Sequence, residues 1–214
     1  MKKYLTTILV LCICTTNLSA QETLSISPEG KILLQNYLSM NVENLWIAGH
    51  HVNWITGVPD REGADAGIKT HCSAFVAAVC KNQNTYILRP PEHGQVLLAN
   101  AQYKWLQSPA AIAIGWHQII DSSPAAIYYS AQRYANKGVV VIAVYQNSNS
   151  KKPGHIAMVR PDNISVQQLS DNGPSIIMAS THNYNLISLK MGFKSHITQW
   201  PEPAILFYYN DIKK

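Results

Sequence analysis

The chain lacks the marks of several large protein classes. No cluster of lysine or arginine appears, which argues against a nucleic-acid footprint. No His-x3-His or Cys-x2-Cys spacing appears either, so the eight histidines form no zinc pattern, and no metal or cofactor is expected. Internal repeats, low-complexity tracts and a second long apolar run are all missing, so residues 21–214 read as one domain large enough for its own core. Cysteine is scarce: four residues, two of them in the first twenty.

Those first twenty residues have the form of an export signal. Lys2 and Lys3 give a positive start, Leu5–Cys14 is a short apolar run, and Leu18-Ser19-Ala20 ends on a small residue. The run is too short to span a bilayer, so removal is expected rather than anchoring, with a periplasmic or secreted product. Cys12 and Cys14 follow the bulky Leu11 and Ile13, which speaks against lipidation. Cutting after Ala20 lowers the formal charge from +5 to +3, a mild basicity that suits contact with an acidic envelope polymer.

Cys72 and Cys80 remain. On one continuous helix, eight residues separate their Cα atoms by roughly 12 Å, beyond the ~7 Å that a disulfide tolerates. Exported proteins rarely keep free thiols idle, so a reactive cysteine is expected.

Capping residues outline the helices. Ser27-Pro28-Glu29 reads as a cap, a first-turn proline and a favourable acid, with a helix following through Lys31–Met40. Residues 57–67 carry loop chemistry. Thr70 is the expected cap of a second helix. Its positions 72, 75, 76, 79 and 80 are Cys, Phe, Val, Val and Cys, the stripe of a helix packed on one face. Residues 96–106 suggest a short helix and 108–120 an irregular apolar stretch. Ser123-Pro124 opens a further helix, closed by Gly138. The pattern then changes to strands at Val139–Tyr145, His155–Arg160, Ser175–Thr181 and Ala204–Tyr209. Helices followed by strands give an α+β expectation, with helices on one face of an antiparallel sheet.

Cys72 lies where a turn becomes a helix, and unpaired backbone N–H groups there favour a thiolate. Pro153-Gly154-His155 leads a histidine into an apolar strand. The pair has the layout of a cysteine nucleophile and its base. If the strands at 155–160 and 175–182 form a hairpin, their pairing sum is 335–337, and His155 lies opposite residues 180–182. His182 is then the orienting neighbour, with Asn183 the alternative if a bulge intervenes. The oxyanion would be met by the Cys72 N–H and a side chain from His51, Asn53 or Trp54. Trp54 and His71 are candidate substrate contacts, and Cys80 is expected to be core.

His71-Cys72-Ser73-Ala74-Phe75-Val76 resembles the Asp-Cys-Ser-Gly-Phe-Val motif of NlpC-type cell-wall peptidases, papain-like enzymes related to the CHAP amidases. Pro153-Gly154-His155-Ile156-Ala157-Met158-Val159 is similar to their Gly-His-Val strand. Ala74 and His71 replace the usual glycine and aspartate, and residues 82–136 have no counterpart in the family. The resemblance implies a papain-like fold with a nucleophile helix on an antiparallel sheet, and hydrolysis of a peptide or amide bond in peptidoglycan. It implies Cys72 as nucleophile, His155 as the base that then protonates the leaving amine, and His182 as the third polar residue. Two other readings stay open: a non-catalytic muropeptide-binding module, and a cysteine transferase acting on an acyl chain or lipid.

Overall fold

A computed structural model of the chain describes residues 22–61 and 69–211. The expected leader and most of the Gly57–Gly67 loop lie outside the described residues. In chain order the elements are β1 (Thr23–Leu24), α1 (Pro28–Ser39), α2 (Cys72–Asn82), α3 (Leu98–Leu106), α4 (Pro109–Ala113), β2 (Trp116–Gln118), α5 (Pro124–Asn136), β3 (Val140–Tyr145), β4 (His155–Val159), β5 (Ile164–Ser165), α6 (Val166–Asn172), β6 (Ser175–Met178), β7 (Tyr184–Ser188), α7 (Leu189–Gly192) and β8 (Ile205–Asn210). Ser27 and Ser123 cap α1 and α5 as expected, accepting from the Gly30 and Ala126 amides.

Six strands form one antiparallel sheet in the order β2-β8-β3-β4-β6-β7. The chain is thus α+β, but its helices cover both faces of the sheet rather than one. On the first face, α2 and α3 pack against Ile142, Val144, Ile156, Met158 and Ile177. On the second, α5 packs against Val141, Ala143, Ala157, Val159 and Phe207. The central strands β3 and β4 are apolar at every position but His155, so alternation gave no warning of a second covered face. The 82–136 segment is part of this frame, supplying α3, α5 and the edge strand β2.

Helix α2 is buried on all sides from Cys72 to Cys80. The sheet covers one flank. Tyr37 of α1 and the 42–52 segment cover the rest, with Trp46 set edge-on to Phe75 at 5.2 Å. Its cap is His71, which makes no side-chain capping bond, and not Thr70.

The β4–β6 register has a side-chain pin. Gln132 of α5, fully buried, accepts the Ser175 N–H and donates to the Arg160 carbonyl, both at 2.9 Å. The Arg160 N–H pairs with the Ser175 carbonyl, and Met158 lies opposite Ile177. Extending this register places His155 level with Ser180, inside the expected span. Strand β6, however, stops at Met178. Replacing Gln132 with Leu leaves two buried backbone groups unpaired, and we expect a loss of about 3 kcal/mol in urea unfolding. A loss below ~1 kcal/mol would show that the register is held elsewhere.

Candidate functional site

The early end of β6 creates the site. Along β4, alternate amides face the same neighbour. Arg160 N–H points to β6, and so therefore does Ile156 N–H, but opposite Ile156 there is no longer a strand. The first turn of α2 packs against β4 here, and the Ile156 amide is among the groups that favour the Cys72 thiolate. Gly154 lets the strand begin this close to its neighbours: a Cβ there would lie 2.3 Å from the Tyr145 carbonyl oxygen and 2.5 Å from Asn100 Oδ1. Asn100 also ties down the β3–β4 turn, donating to Lys152 O and accepting from Asn147 N.

Cys72 forms part of a cleft of about 500 Å³. One wall is apolar, made by Pro90, Val96, Leu97 and Leu98, and the other carries His51, Lys69, Thr70 and His71. The residue itself is only 4% exposed. Burial pushes its thiol up to about 11, against the opposing pull of the Ile156, Ser73 and Cys72 amides. Cys80 lies deeper, with burial holding its thiol near 12, and neither cysteine is in a disulfide.

His155 lies on the other side of the sheet. Its parity is that of Ala157 and Val159, so its ring joins the second core, while Cys72 and Ile156 belong to the first. His155 Nε2 lies 3.5 Å from the Met178 sulfur. The ring meets Phe193 edge-on and stacks on His196 with the planes 9° apart, both at 4.6 Å between centroids. The cysteine and imidazole named from sequence thus belong to opposite faces of the sheet, without a hydrogen bond between them among the described residues. Burial, with His196 beside it, drives the His155 imidazole down to about 3, so at neutral pH it is uncharged.

The expected third residue is elsewhere. His182 is exposed in the turn after β6, beside a shallow surface pocket, and does not touch the His155 ring. It turns away because β6 ends four residues earlier. Asn183 is a structural clamp: Oδ1 accepts the Ser180 N–H at 2.8 Å, and Nδ2 donates to the Val42 and Leu45 carbonyls. The group that holds the His155 ring is His196, carried with Phe193 on the segment after α7. Sequence reasoning missed it. The one available signal is that Phe193 and His196 are three apart, the spacing of side chains on one helical turn.

Of the two candidate substrate contacts, His71 lines the cleft, with Nε2 bonded to the His50 carbonyl at 2.8 Å. Trp54 does not line it; its ring packs beside the Arg89 guanidinium, and its carbonyl accepts from Trp46 Nε1. Among the three oxyanion candidates, Asn53 is committed to capping the Ile55 and Thr56 amides, and only His51 faces the cleft. No family model matches the chain, and no curated protein is significantly similar to it. No described helix is long and apolar enough to cross a membrane.

Two pH dependences follow. His155 titrates lower in the folded chain than its ordinary 6.5, so its share of stability is intact above 6.5 and is lost as pH falls towards 3. The unfolding free energy of His155→Gln, from urea titrations, should therefore fall less steeply than that of wild type over this range, by ~1.4 kcal/mol per pH unit; parallel curves would contradict the buried neutral ring. Cys72 is displaced upward, so iodoacetamide labelling of the native protein should climb throughout pH 7–10 without a plateau. A plateau near pH 7 would mean a thiolate already formed at rest.

Proposed function

We propose that the chain is an exported cysteine hydrolase of the bacterial envelope, cleaving an amide or peptide bond in peptidoglycan. One observation carries this reading: a thiol in the first turn of an eleven-residue helix lines a substrate-sized cleft, and the strand packed on that helix opens with His155. The residues are those of the NlpC-type and CHAP-like motifs, and an antiparallel sheet packed against the nucleophile helix accords with the resemblance.

In the proposed chemistry, Cys72 and His155 rest as neutral thiol and neutral imidazole. The proton leaves sulfur for His155 as sulfur attacks the carbonyl, so charge appears only in the transition state. The Cys72 N–H and its neighbours at the start of α2 are available to the developing oxyanion. Water then releases the acyl group. His196 holds the base by stacking, in the place first assigned to His182.

A second reading is favoured by the missing Cys72–His155 hydrogen bond: a muropeptide-binding module in which the cleft holds its ligand uncleaved. Incubating purified muropeptides with wild type and Cys72→Ala separates the two. Hydrolysis gives a new amine and carboxyl pair by mass, absent with Cys72→Ala. Unchanged masses across a broad panel, with retained binding, would replace the hydrolase by the binding module. Acyl-transfer products would place the chain with the transferases.

A further inference from the structure

The cleft holds an imidazole that this chemistry has not used. His51 and Asp60 face each other across a short hairpin: the Asp60 N–H donates to the His51 carbonyl, Val52 bridges Pro59, and Asn53 N–H donates to the Val58 carbonyl. At its mouth His51 Nδ1 pairs with Asp60 Oδ1. The carboxylate fixes the ring through Nδ1 and leaves Nε2 as the nitrogen free to exchange a proton. The hairpin is fastened to the nucleophile. Gly49 N–H donates to the Lys69 carbonyl at 2.9 Å, His71 Nε2 bonds the His50 carbonyl at 2.8 Å, and Gln95 Nε2 donates to the Val52 carbonyl at 3.0 Å.

His155, by contrast, is 2% exposed, does not line the cleft, and packs its ring against Phe193 and His196. We propose that His51, oriented by Asp60, is a second catalytic imidazole that handles the protons on the cleft side of the reaction, while His155 handles the proton on sulfur.

This rests on the hydrolase reading. In acylation the Sγ–C bond forms, the thiol proton passes to His155, the C–N bond breaks, and protonated His51 gives its Nε2 proton to the departing nitrogen. In deacylation the now neutral His51 takes a proton from water as the oxygen attacks the thioester. The C–S bond breaks, and His155 returns its proton to sulfur. One amide and one water become one amine and one carboxylic acid, and both imidazoles finish as they began.

An ester whose leaving group needs no proton separates the two tasks. With p-nitrophenyl acetate, wild type should show a burst of nitrophenol, one per Cys72, then steady turnover. His51→Ala should keep the burst rate but turn over about 100-fold more slowly, the lower end expected for a general base, with acetyl-Cys72 accumulating by intact mass. Asp60→Asn, which keeps the hairpin's shape, should show the same split more weakly. Added imidazole should restore turnover to His51→Ala, a rescue that a purely structural histidine would not allow. Unchanged turnover in His51→Ala, or loss of burst and turnover together, would overturn the assignment while leaving the hydrolase intact. Absence of any burst in wild type would remove the hydrolase reading, and this inference with it.

Discussion

A single contact organises the site: the Ile156 amide meeting the Cys72 sulfur where the sheet runs out of strand. A buried N–H needs a partner, and leaving one unmade costs roughly 1–3 kcal/mol. Strand β6 ends too early to supply a carbonyl, so the first turn of α2 supplies sulfur instead. The thiol is therefore a structural acceptor as well as the proposed nucleophile. Gly154 meets a separate need beside it, the close approach of the Tyr145 carbonyl and Asn100 Oδ1.

The same contact accounts for the electrostatics. The amides around Cys72 favour the thiolate, but burial outweighs them and carries the thiol to about 11. On the other face of the sheet burial carries the imidazole to about 3. An ion pair at rest would need both displacements to reverse, and each pH unit is worth about 1.4 kcal/mol. The neutral pair is the resting state. A protonated thiol is a poor target for oxidants and stray electrophiles. In the proposed chemistry, reactivity then depends on substrate filling the cleft and on a proton moving as the new bond forms.

Much of the frame was legible in sequence, because local chemistry determines it. Ser27-Pro28 and Ser123-Pro124 marked helix starts, and the pairing of His155–Arg160 with the 175–182 segment fell within the expected register. What failed was the choice of face. His-Ile-Ala-Met-Val is buried at every position, so no polar alternation tells which residues meet α2, and an α5 on the far side cannot be inferred from β4 alone. His182 was lost for a related reason: its role required β6 to continue, and an Asn183 side chain turns the chain away instead. His196 meets His155 across 41 residues of sequence, a contact no local pattern reveals, whereas Asp60 lies only nine residues from His51, in a loop whose turn chemistry hid the pairing.

A wall between two imidazoles has a consequence for precision. A single histidine serving both sulfur and leaving group must swing between them; two fixed rings need not move. The stack on His196 and the edge of Phe193 hold one ring against the sheet, and Asp60 holds the other. The hairpin bearing His51 is bonded at three points to the segments that flank the nucleophile, so helix start, cleft wall and cleft imidazole shift together or not at all. One of these bonds is backbone to backbone and two run from side chains to carbonyls, so the wall that carries His51 is tied to the residues leading into Cys72 and to the opposite wall of the cleft.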